Sequence, residues 1–93
     1  MVMAREILEK AVQRFGKGRQ LVKACEEMGE LTQAICKLFD KSVDAFDVEN
    51  VVEELADVEI MLEQVRIALD VDPMMEAGWR DRKLRRLRRR LRA

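Results

Sequence analysis

Apolar and polar positions recur along the 93-residue chain with the period of an α-helix, and the pattern breaks at only a few places. Leu8, Ala11, Val12 and Phe15 stand at i, i+3, i+4 and i+7, which predicts a first helix over residues 3–15. Gly16-Lys17-Gly18 interrupts it, since glycine favours turns and helix ends. A second helix is predicted from about residue 19 to 39, with Gly29 inside it at a cost of about 1 kcal/mol relative to alanine. Close approach of another backbone would account for that glycine; simple tolerance would do so equally. The polar run DKSVDAF at 40–46 is short enough to join antiparallel helices. Asp47 is placed to cap a third helix, about 48–70, with Phe46 and Val51 as its hydrophobic staple. Asp72-Pro73 opens a fourth helix over about 73–92, with Leu84, Leu87 and Leu91 as its apolar stripe. No strand-like alternation is present. The fold class is all-α: a four-helix antiparallel bundle in a single domain.

The second and third helices echo one another. Sliding LVKACEEMGELTQAI by 27 residues places it on VENVVEELADVEIML. Leu21 falls on Val48, Ala24 on Val51, Met28 on Leu55 and Ile35 on Leu62. The acids register as well: Glu26 on Glu53, Glu27 on Glu54, Glu30 on Asp57. With Met28 and Leu55 as the centres of the two buried stripes, the carboxylates of Glu27 and Glu30, and of Glu54 and Asp57, lie about 100° and about 160° round the same flank. Antiparallel packing would bring all four to one edge of the interface. Four such groups repel and raise one another's pKa. A hard divalent cation with oxygen ligands removes the conflict, and Mg²⁺ suits the site, with Mn²⁺ as the alternative. Acids on a helix flank most often only solvate it, and Glu26 and Glu53 are expected to do that.

Other cations fall near enough to matter. Lys37 lies on the same general side of the second helix as Glu30, and Lys23 lies one turn from Glu27. Lys83, Arg86 and Arg90, at i, i+3 and i+7, share one face of the fourth helix, where guanidinium groups can match phosphate oxygens. Gln20 can hydrogen-bond a base, Trp79 can stack on one and Met61 can line its pocket; each also has a structural explanation. There is no Gly-rich phosphate loop, so metal and basic side chains would have to hold phosphates.

Composition narrows the choices. The chain has no histidine, which excludes His-based catalysis and His-containing metal sites. Cys25 and Cys36 are about 16 Å apart along one helix, too far for a mutual disulfide, and read as reduced thiols, with Cys25 in the apolar stripe. No apolar run is long enough for a membrane span, and MVMAREILEK lacks a signal-peptide core, so a cytoplasmic location is expected. Net charge is zero but split: residues 1–79 hold 9 Lys+Arg against 17 Asp+Glu, whereas 80–93 hold 9 Lys+Arg against one Asp. The acidic body disfavours a nucleic-acid partner. A small helical domain buries a limited core, which makes a homo-oligomer the natural supplement.

The motif Glu27-x-x-Glu30…Glu54-x-x-Asp57 resembles the E-E-x-x-E…E-x-x-D signature of the MazG-type all-α nucleoside triphosphate pyrophosphatases. The similarity extends through Gln20-Leu21-Val22-Lys23, Gly29-Glu30-Leu31, Ala34-Ile35-Cys36-Lys37 and the tail Lys83-Leu84-x-Arg86-Leu87. The resemblance implies an oligomeric bundle, a homodimer or homotetramer. It also implies Mg²⁺ held by Glu27, Glu30, Glu54 and Asp57, and hydrolysis of a (d)NTP to (d)NMP and pyrophosphate. Longer relatives shape the base pocket with a segment between helices three and four that this chain lacks, so the substrate base is left open. Two other readings compete: a nucleic-acid-binding module gripping phosphates through RDRKLRRLRRRL, and a non-catalytic helical oligomerisation module.

Overall fold

The computed structural model describes residues 3–39 and 44–93. Its main helices are α1 (Ala4–Phe15), α2 (Lys17–Cys36), α3 (Ala45–Ala68) and α4 (Pro73–Arg92), and a 3₁₀ turn, Lys37–Phe39, follows α2. Residues 40–43, most of the expected connection, lie outside the described residues. One residue suffices to break the chain between α1 and α2. Gly16 has φ 95° and ψ 146°, a conformation that side chains other than hydrogen resist. Its N–H closes α1 on Val12 O at 2.9 Å, and its carbonyl accepts from Gln20 N at 3.1 Å. Lys17 and Gly18 are therefore already helical.

The start of α3 corrects an expectation. Asp44, not Asp47, is the N-cap, and its Oδ1 accepts from Asp47 N at 2.8 Å. Two aspartates three residues apart can each cap, and nothing in Ala45-Phe46 prevents the helix from extending back to the earlier one. Asp47 instead sits buried in the first turn, where an acid favours the positive end of the helix. Phe46 is 77% exposed, so the staple with Val51 does not form. At α4 the expected cap is present: Asp72 Oδ1 accepts from Met74 N at 2.9 Å, with Pro73 in the first turn. Between them, α3 ends on Asp70 at φ 49°, with Val71 N donating to Arg66 O at 3.0 Å and Asp70 N to Ile67 O at 3.2 Å. That pair of bonds satisfies carbonyls that a helix end would otherwise leave open.

The helices form an all-α bundle in which α2 and α3 make the broadest contact and α1 lies across both, more on α3. Gln20 meets Gln64, and Glu27 meets Glu54, so numbers rise along α2 as they fall along α3. The pair is antiparallel, as expected. The buried apolar positions of the bundle, among the described residues, are Val12 on α1, Ala24 and Ala34 on α2, and Val58, Met61 and Ala68 on α3. Half are alanines, which let the helix backbones approach closely. α4 is the loosest member: none of its residues is buried, and it shares no broad packing surface with the others among the described residues. Among those residues no helix is long and apolar enough to cross a membrane.

The phase of the buried stripe differs from the sequence expectation. Met28 is 39% exposed and Leu55 46% exposed. The buried line of α2 runs through Gln20, Ala24, Glu27 and Ala34; that of α3 runs through Asp47, Val58, Met61, Gln64 and Ala68. Each helix carries two apolar stripes side by side, and only the one nearer the carboxylates is used within the chain. Cys25, expected in the buried stripe, is exposed, and both cysteines are free thiols. A Cβ on Gly29 would meet nothing within 4 Å, so no backbone among the described residues packs against it.

The two glycines should therefore respond in opposite directions. Gly16→Ala is expected to destabilise the chain by about 1–3 kcal/mol, because its backbone is nearly glycine-only. Gly29→Ala should stabilise it by about 0.5–1 kcal/mol, a helix interior with open space. Thermal denaturation of both variants reads the difference.

Candidate metal centre

Shifting the buried line toward Ala24 and Glu27 draws the acids inward rather than leaving them on a remote flank. Glu27 is buried on α2, Glu54 is half-buried on α3 and Glu30 is exposed one turn beyond Glu27. One carboxylate oxygen from each of the three lies within 4.8 Å of the others. Around a Mg²⁺ with ligands at about 2.1 Å, neighbouring oxygens are about 3.0 Å apart and opposite ones about 4.2 Å.

The electrostatics are those of unneutralised charge. Glu54 Oε2 is shut off from solvent and has no hydrogen-bond partner among the described residues. Burial, then the charges of Glu30, Asp57, Glu27 and Glu53, hold the Glu54 carboxyl above the ordinary glutamate range. Lys23 supplies partial relief: its Nζ stands 3.3 Å from Glu27 and 3.8 Å from Glu26. The hydrogen bond to Glu27, followed by the charge of Glu27, raises the Lys23 pKa. A carboxylate with one enclosed oxygen, in a cluster with two further carboxylates, fits a cation. The donor set is all hard oxygen, which suits a divalent ion of the Mg²⁺ type over soft metals.

Of the four acids expected to converge, the structure brings together Glu27, Glu30 and Glu54. Asp57 is half-buried and outside the convergent set, and it acts on Glu54 through its charge. Glu26 and Glu53 are exposed, as solvating residues should be. Lys37 is exposed in the 3₁₀ turn. Lys83, Arg86 and Arg90 are exposed on α4, which has no broad packing with α2 or α3. Trp79 is 54% exposed, with the Arg82 guanidinium 5.1 Å from its ring centroid, so it anchors no bundle end within this chain.

Beside the acids, Phe15, Arg19, Gln20, Lys23 and Met61 border a cleft of about 560 Å³. Its floor holds a feature the sequence reading passed over. Gln20 Nε2 donates to Gln64 Oε1 at 2.7 Å, and both glutamines are buried. Gln64 Nε2 lies 3.5 Å from Met61 Sδ, a weak acceptor. Gln64 follows Met61 by three residues in an otherwise apolar line, and that polar interruption was the available signal.

Comparison with protein-family models, with curated proteins and with solved structures returns no match.

Because Glu54 binds its proton more tightly in the folded than in the unfolded chain, metal-free stability should fall as pH rises from the ordinary glutamate range through the raised value, then level off. Glu54→Gln removes that charge and gives Oε2's place to a donor group that Glu27 and Glu30 can accept from. Its metal-free Tm should equal or exceed the parent's at pH 7–8, with the gap closing in acid. Mg²⁺ at ten times its Kd should stabilise the parent by about 1.4 kcal/mol, a Tm rise of roughly 6–11 °C. The variant should respond much less; differential scanning fluorimetry across pH measures both.

Proposed function

We propose that the chain is a Mg²⁺-dependent nucleoside triphosphate pyrophosphohydrolase of the MazG type, converting a (d)NTP to (d)NMP and pyrophosphate, as a homodimer or homotetramer. The observation that carries this is the convergence of Glu27 and Glu30 from α2 with Glu54 from α3, of which Glu27 and Glu54 are matched by the 27-residue register. Packing alone gives no reason for a helical hairpin to place three acids, one buried, around a common point.

When bound, the divalent ion would neutralise triphosphate charge and polarise the scissile phosphoanhydride. Glu27, Glu30 and Glu54 would hold it, with Asp57 at the rim. A carboxylate not fully engaged in that role can accept the proton of the attacking water. Lys23, already beside Glu27, is placed to meet phosphate oxygens near the acids. Lys37, Lys83, Arg86 and Arg90 are further phosphate contacts in this reading. The cleft bordered by Gln20 and Met61 offers an apolar wall and an amide for a base. Such an activity would serve nucleotide-pool housekeeping.

A second reading draws on α4. Its nine Lys and Arg residues are all exposed, and among the described residues Arg85 alone of the nine forms an ion pair, with Asp81 at 3.0 Å. A polyanion could occupy that surface, in which case binding should weaken steeply with salt.

The decisive assay is pyrophosphate release from a panel of NTPs and dNTPs with Mg²⁺. Glu27→Gln and Glu54→Gln are expected to reduce it by at least 100-fold, and Asp57→Asn to lower it as well, with helical content unchanged. Glu26→Gln and Glu53→Gln, on the outer faces, should stay within about twofold of the parent. Equal loss in those controls would show that the ligands are misassigned; no hydrolysis of any nucleotide by the parent would remove the enzymatic reading.

A further inference from the structure

α4 has two faces of different chemistry, and the rest of the chain covers neither. At about 100° per residue, Leu84, Leu87 and Leu91 fall within an arc of about 60°. They are 46–79% exposed. Trp79, itself exposed, joins Leu84 and Leu87 along an open groove whose lining comes from α4 alone. Over residues 83–92 every position that is not leucine is Lys or Arg, seven cations with no acid among them. Lys83 and Arg90 border the leucine arc on one side, Arg88 and Arg92 on the other.

The helix is also held away from the body. Arg66 ties it at Glu76, and the cleft at that corner involves α4 only as far as Arg80. Among the described residues no hydrogen bond or ion pair joins 81–92 to another helix. The radius of gyration, 16.5 Å against about 12 Å for a compact domain of this length, fits a helix that projects. Charge is segregated in the same way: residues 80–93 carry a net +8 and residues 1–79 a net −8.

A partner for this surface must be acidic on both borders of a narrow apolar strip. Nucleic acid supplies the acid but no aliphatic layer beside its phosphates. A leaflet rich in anionic lipid supplies both, because its headgroups lie directly over acyl chains. We propose that α4 binds the surface of an anionic membrane. The helix lies in the interface plane, with Leu84, Leu87 and Leu91 turned into the acyl boundary and Lys83, Arg88, Arg90 and Arg92 among the headgroup phosphates. It rests on the bilayer and does not cross it. The same headgroup charge repels the acidic body, so α4 alone makes the approach. The binding does not depend on the carboxylates holding a metal or acting on a nucleotide.

Flotation of the full chain with vesicles at physiological ionic strength tests this. The chain should float with equimolar phosphatidylcholine–phosphatidylglycerol vesicles and stay behind with pure phosphatidylcholine. Leu84→Gln/Leu87→Gln keeps every charge and uses residues that suit a helix, so circular dichroism should show the parent's helicity. Its partition onto the anionic vesicles should fall about tenfold or more. Trp79 is the chain's single tryptophan, and its emission should move to shorter wavelength with anionic vesicles alone. A parent that ignores anionic vesicles overturns the proposal, whether α4 is then found on duplex DNA or on a second copy of the chain. Equal flotation by the leucine variant also overturns it, since charge alone would then hold the chain. So does Trp79 emission that anionic vesicles leave unchanged.

Discussion

Everything in this molecule depends on how closely α2 and α3 approach. Ala24 and Ala34 on one helix, with Val58 opposite, leave little side chain between the backbones. The same closeness carries Glu27 into the interior and sets it against Glu54 across the pair. A wider spacing, as larger core residues would impose, would leave those acids in water with ordinary chemistry. The alanines thus make both the packing and the charge crowding, and neither can be altered alone. The cost of that crowding falls on Glu54, whose enclosed oxygen has neither solvent nor a donor among the described residues.

A small-residue core also limits what the chain can stabilise by itself. Among the described residues no large side chain is fully buried, while Met28, Leu55, Trp79 and the α4 leucines are exposed. Hydrophobic stabilisation follows the apolar area removed from water, so much of what this sequence could gain is deferred until those surfaces are covered. Gln20 and Gln64 take the opposite course. Their hydrogen bond specifies register between α2 and α3 where an apolar pair would allow sliding, at the expense of two buried amides whose other polar groups must be met.

Much of this was legible in the residues. The helices followed from period and punctuation: Gly16 as a break and Asp72-Pro73 as a start both hold. The acids of Glu27-x-x-Glu30 and Glu54 were found from their register alone. The phase was not, because Met28 and Leu55 are as apolar as the residues that are buried, and periodicity cannot say which of two adjacent stripes faces inward. Asp44 and Asp47 offered equivalent caps, and only the extent of the helix chose between them. The Arg66–Glu76 pair joins residues ten apart across a helix break, a spacing that no helical pattern encodes.

That pair has a mechanical consequence. α4 is a rod of about 30 Å, given 20 residues at 1.5 Å each, and it is fastened near one end. Its fastening is a two-pronged contact: Arg66 Nε to Glu76 Oε1 at 2.8 Å and Nη2 to Oε2 at 3.0 Å. A single-point tether would permit rotation about itself, whereas a planar fork against a planar carboxylate resists it. Leverage magnifies whatever freedom remains: a 10° tilt at the junction displaces the far end by about 5 Å, roughly one helical turn. Angular stiffness at Arg66, Asp70 and Glu76 therefore decides whether the distal leucines and arginines arrive in register with the surface they meet or one turn out of step.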